Sequence, residues 1–137
     1  MNQHRYLRAY MAGIVVPTIV LLIGVTAFCI ARYVYDFPAP IERIMIFPMA
    51  VVPNLWGLWN ILFVASHQRT HLSIGLHGAL LPFLLGPLGI LLTRTLDFQL
   101  PIFSLHVFPI LAIVALAVYY LVWKYVVAFL NRVVSLA

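Results

Sequence analysis

Along this chain, long uncharged apolar runs alternate with short polar clusters. Four runs stand out, at residues 9–31, 44–66, 72–93 and 98–123. Each reaches the roughly 20 apolar residues that a helix needs to cross a hydrocarbon core. The pattern predicts an all-α membrane protein with four transmembrane helices in a bundle. Little chain lies outside the runs, so 1–137 is expected to form a single integral membrane domain.

Small and stiff residues recur within two of the runs. In the third, Gly75, Ala79, Pro82, Gly86, Gly89 and Thr93 follow at steps of four, three, four, three and four. In the first, Gly13, Pro17, Val20, Gly24, Ala27 and Ala31 keep the same rhythm. Such spacing lays each set along one stripe of a helix. In lipid, burying Leu gains nothing over leaving it among acyl chains, so helices associate where small residues let backbones approach. The two stripes are therefore expected to turn inward, with helices one and three packing at a shallow left-handed angle. The expected seam comprises Gly13, Gly24, Gly75, Ala79, Gly86 and Gly89.

The halves of the chain also resemble each other. Asp36-Phe37-Pro38-Ala39-Pro40-Ile41 leads to Phe47-Pro48, and Asp97-Phe98-Gln99-Leu100-Pro101-Ile102 leads to Phe108-Pro109. Both read DFxxPIxxxxxFP without a gap. The expectation is a duplicated helical hairpin, 9–66 repeated as 72–130. Each unit has an even number of spans, so the copies are parallel and related by an axis along the membrane normal. Chance matching of Phe, Pro and Ile in a biased composition is the competing explanation. Pro38, Pro40 and Pro101 end helices and stiffen these connections. Arg32 with Asp36, and Arg94 with Asp97, have helical pairing distances, and such interfacial pairs stabilise little.

Composition agrees with the pattern. The chain is 65% hydrophobic and only 8% charged, against about 25% charged in soluble domains. Its net charge of +5 does not form a nucleic-acid face, because the basic residues are separated by lipid-length intervals. Arg5, Arg8, Arg69, Lys124 and Arg132 fall on one side. Arg32, Arg43 and Arg94 fall on the other, with all three acids. Basic residues prefer the cytoplasm, so both termini are expected to be cytoplasmic, in a bacterial inner membrane. Tyr6, Tyr10, Tyr119, Tyr120, Trp123 and Tyr125 suit interfacial anchoring. The first apolar run exceeds the roughly 7–15 residues of a signal-peptide core, so an uncleaved first helix is expected. The sole cysteine, Cys29, forms no internal disulfide and reads as a small core residue.

The second run carries unusual polarity. Pro48 and Pro53 interrupt it, and Asn54, Trp56, Trp59 and Asn60 lie near its middle. Asparagine in hydrocarbon is unfavourable unless its amide finds partners. One reading has the asparagines hydrogen-bond to a neighbouring helix, which is routine between membrane helices. The other has Pro53, Asn54, Trp56, Trp59 and Asn60 line a polar cavity at mid-depth, as in broken transporter helices.

The histidines offer one further chemistry. His67 and His77 are placed to face each other across a tight hairpin, as haem b ligation requires. Against that, His77 points roughly opposite the glycine stripe, and interfacial histidines commonly bond water, headgroups or backbone. His67, His71 and His77 lack the carboxylate, thiolate or spacing of a familiar zinc motif, so no metal is expected. No Asp, Glu, Lys or Arg lies deep within a run, where coupled transporters usually hold one. No catalytic constellation is present either. The expectation is a non-enzymatic structural or accessory membrane subunit without a cofactor. Its expected partners are the bilayer and either further copies or other membrane subunits. An oligomeric channel for a small neutral solute is the first alternative, and a b-type haem protein the second.

Overall fold

A computed structural model describes residues 4–97 and 108–136. Its order is α1 (Arg5–Val34), α2 (Ile41–Ile44), α3 (Val51–Thr70), α4 (Ile74–Thr95), α5 (Phe108–Val122) and α6 (Ala128–Val133). A π-helical stretch, Met45–Ala50, joins α2 to α3, and another, Trp123–Val127, joins α5 to α6. Four continuous segments are long and apolar enough to cross a membrane: Arg5–Val34, Ile41–Thr70, Ile74–Thr95 and Pro109–Val133. No strand occurs among the described residues.

The four runs read from the sequence each lie on one of these segments, but with different ends. The second helix begins earlier than residue 44 and carries its break at Phe47, whose φ of −138° and ψ of 127° are extended. Pro48 follows directly. Pro53 does not interrupt the helix. It occupies the first turn of α3, where an N–H has no helical partner to lose. The fourth helix continues past Lys124 to Val133, ten residues beyond the end expected at Trp123. Lys124 is tolerated there because its side chain is exposed. Its ammonium sits over the rings of Tyr120 and Tyr125, at 5.5 and 5.3 Å, so the charge snorkels rather than ends the helix. The beginning of that run, from residue 98, lies outside the described residues.

Packing follows the hairpins. α1 runs along α3, and α4 runs along α5, while contact between α1 and α4 is marginal at most. This corrects the expectation that the small stripes of helices one and three meet each other. Gly13, Gly75 and Gly89 instead receive neighbours from elsewhere in the bundle. A Cβ on Gly13 would lie 2.7 Å from the Trp56 carbonyl oxygen and 2.9 Å from Gly57 Cα. That approach is backbone to backbone, and it needs glycine on both helices. Gly75 faces Tyr120 and Lys124, and Gly89 faces Phe47. Ala79 is only half-buried. Among the described residues, Gly24 and Gly86 meet nothing within 4 Å, so the seam is open at these two positions.

A compact cluster of Trp56, Leu81, Trp123 and Val127 joins the two hairpins. The Trp56 ring lies 5.4 Å from Trp123 and 5.1 Å from Tyr119, within the range of favourable aromatic pairs. Trp123 is therefore a core residue, not an interfacial anchor as its position beside Lys124 suggested. It fits because Gly78 lacks a side chain: a Cβ there would lie 2.0 Å from Trp123 Cγ.

The bundle ends are polar. At one, Arg8 Nη1 donates to the Val134 carbonyl at 3.1 Å, and Arg5 Nη2 donates to the Val64 carbonyl at 3.4 Å. The first and last helices thus meet at the same end. At the opposite end, Arg32 pairs with Glu42 at 3.0 Å, not with Asp36. The reason is local: Asp36 lies past the end of α1 with φ of 53°, outside the i, i+4 geometry. Asp97, the corresponding residue after α4, has φ of 49°. The remainder of the second DFxxPI copy, with His106, lies outside the described residues.

Candidate functional site

The most polar part of the interior is built where α1, α3 and α6 converge. Asn60 is 0% exposed and Asn131 is 4% exposed. Their side-chain amides face each other head to head. Asn60 Nδ2 donates to Asn131 Oδ1 at 2.7 Å, and Asn131 Nδ2 donates to Asn60 Oδ1 at 3.0 Å. Asn60 Nδ2 also donates to the Ala9 carbonyl at 2.7 Å. Ala9 and Ala12 are buried on the α1 face turned to α3, and small side chains there leave the carbonyl accessible. Three bonds thus link three helices, and each amide contributes both a donor and an acceptor.

Trp59 and His77 form a second reciprocal pair between α3 and α4. Trp59 Nε1 donates to the His77 carbonyl at 2.8 Å, and His77 Nε2 lies 3.0 Å from the Trp59 carbonyl. Facing a carbonyl, Nε2 carries the proton. His77 is buried on α4, so its place opposite the glycine stripe turns it toward α3 and not outward. Trp59, Phe63 and Trp123 surround its ring at 4.9, 5.3 and 6.0 Å.

The remaining residues of the expected site are dispersed. Asn54 is exposed. Its Nδ2 donates to the Ala50 carbonyl at 2.6 Å, and its Oδ1 accepts from the Tyr10 hydroxyl. Trp56 belongs to the core cluster, and among the described residues its buried Nε1 has no hydrogen-bond partner, as is also true of Trp123. Asn54, Trp56, Trp59 and Asn60 therefore point to different neighbours and do not line one cavity. His67 is exposed and packs on Phe63 at 4.8 Å. Haem ligation through Nε2 of His77 would require its bond to Trp59 to break. Among the described residues, no three His, Cys, Asp or Glu side chains converge.

Two grooves flank the core. One, of about 230 Å³, lies between α1, α3 and α5 and is lined by Val16, Val20, Val52, Trp56, Val118 and Tyr119 among others. The second, of about 480 Å³, lies between α4, α5 and the Phe47 break, with Pro82, Gly86, Pro87 and Leu111 in its walls. Both are lined by apolar side chains, with the Tyr119 phenol shared between them.

No protein-family model, curated protein or solved structure matches this chain.

Asn131 is the site residue that sequence reasoning missed. It follows Lys124, in a segment assigned to the aqueous side. The signal that points to it is the length of apolar sequence on both sides of Lys124, which allows the helix to continue.

Proposed function

We propose that the chain is a small multi-pass protein of the bacterial cytoplasmic membrane that works as a structural or accessory subunit, without catalysis of its own. Both termini face the cytoplasm, and its apolar outer faces contact further copies or other membrane subunits. The observation that carries this reading is the closed amide set of Asn60, Asn131 and the Ala9 carbonyl. A solute-binding amide needs free donors and acceptors, whereas these amides spend theirs on neighbouring helices. The charge distribution supports the orientation: Arg5 and Arg8 bond at the end shared by both termini, and the acids lie at the other end, Asp36 and Asp97 just past α1 and α4 and Glu42 in α2.

Proteoliposome flux tests the reading. Vesicles carrying the protein should take up urea, glycerol and other small neutral solutes no faster than empty vesicles. Uptake that disappears on Asn60→Leu would overturn the proposal in favour of a facilitator.

A further inference from the structure

The larger groove has features that packing within the chain does not explain. Gly86 forms part of its wall, and a Cβ there would meet nothing within 4 Å. Glycine inside a helix is less favourable than alanine because it loses more backbone freedom, and at Gly13 or Gly78 a close neighbour accounts for it. At Gly86 no described residue does. Pro82 and Pro87 bracket it on α4, and Phe47 holds the opposite wall at the break before α3. The groove lies along segments of membrane-spanning length and apolarity, so the surrounding medium on this reading is hydrocarbon.

Its size selects among apolar occupants. One turn of helix, with a pitch of about 5.4 Å and a diameter of about 10–12 Å, fills on the order of 500 Å³. A groove of about 480 Å³ therefore admits one turn of a partner helix at most. A linear hydrocarbon chain can lie along it. Charge beyond the groove, on α2 one turn before Phe47 and on the last turn of α4, points the same way. Arg43 bonds the Asp97 backbone carbonyl, not its carboxylate. Arg94 is on the last turn of α4, three residues before that carbonyl. Among the described residues the ion pair formed at this end is Arg32–Glu42, so neither Arg43 nor Arg94 forms a close ion pair of its own.

We infer that the groove between α4, α5 and Phe47 binds one anionic phospholipid. An acyl chain lies against Gly86, and the headgroup phosphate lies toward Arg43 and Arg94. The inference rests on the membrane-subunit reading and adds a specific lipid partner to it.

The test uses the full chain extracted from membranes in mild detergent, with bound lipid read by native mass spectrometry. It is repeated after reconstitution in phosphatidylglycerol or phosphatidylcholine vesicles. The wild-type protein should retain phospholipid, with phosphatidylglycerol preferred. Gly86→Leu should lose it while helicity and melting temperature hold or rise. The double change Arg43→Gln with Arg94→Gln should abolish the headgroup preference but leave retention of either lipid. Wild-type protein that emerges free of lipid, or Gly86→Leu protein that retains as much as wild type, overturns the inference. So does a fall in oligomeric mass on Gly86→Leu, which would assign the groove to a second copy of the chain. Lipid-free protein without solute flux sinks the lipid site alone. Flux that depends on Asn60 sinks the subunit reading and leaves the lipid result standing.

Discussion

Replacing Asn60 by Leu strands the Asn131 amide in a buried position and frees the Ala9 carbonyl. An unpaired buried polar group is destabilising by about 1–3 kcal/mol, and interhelical bonds in membranes average toward the low end of that range. The expected outcome is a lower melting temperature for Asn60→Leu and for Asn131→Leu in detergent. The double Leu variant should lose less than the sum, because removing both amides leaves only the Ala9 carbonyl to satisfy. A double-mutant cycle by thermal unfolding measures this coupling, and strict additivity would mean the pair is not coupled. His77 gives a second residue-scale expectation: with Nε2 held by the Trp59 carbonyl, purified protein should show no Soret absorbance. Polarity at Asn60 was legible in the sequence because an amide within an apolar run demands a partner. The partner's identity was not, since hydropathy cannot pair residues separated by 71 positions.

Glycine has opposite meanings on two parts of α4. At Gly78 an added methyl meets the Trp123 ring, and at Gly86 it meets open space. Gly78→Ala should destabilise by about 1–3 kcal/mol through overpacking, whereas Gly86→Ala should be neutral or stabilise by up to about 1 kcal/mol through helix propensity. Unfolding of the two variants in the same detergent checks the contrast, and equal losses would contradict it. The small-residue rhythm of α1 and α4 was visible at once. It did not reveal which helix each stripe meets, because a step pattern defines a face and carries no information about the occupant. Trp56, Trp59 and Trp123 show the same limit. Tryptophan's preference for interfaces yields here to tertiary contacts, made possible by Gly78 and by the His77 carbonyl. Helix existence was legible throughout, since about 20 apolar residues cannot cross hydrocarbon in any unpaired conformation. Helix ends were less so: Lys124 marked an end in the sequence, yet it lies within a helix and reaches outward.

For the whole molecule, the two ends of the bundle are chemically distinct. One gathers Arg5, Arg8 and the residues near Val134, and the other gathers Arg32, Glu42, Arg43 and Asp97. In a Cys29→Ala background, cysteines placed by His4→Cys and Ser135→Cys should resist a membrane-impermeant thiol reagent in intact cells. Asp36→Cys should react. Labelling of His4→Cys but not Asp36→Cys would invert the orientation, and labelling of only one terminus would remove a span. Asp36 and Asp97, which follow α1 and α4, share a left-handed backbone conformation.

Ribosomes deliver α1 and α3 well before α6. Until Asn131 emerges, the N-terminal hairpin holds the Asn60 carboxamide only partly engaged, through Ala9. The last helical turn thus acts as a latch on the first, fastened again where Arg8 reaches Val134. Nascent chains halted before residue 128 should persist as loosened hairpins that quality-control proteases clear faster than the finished product.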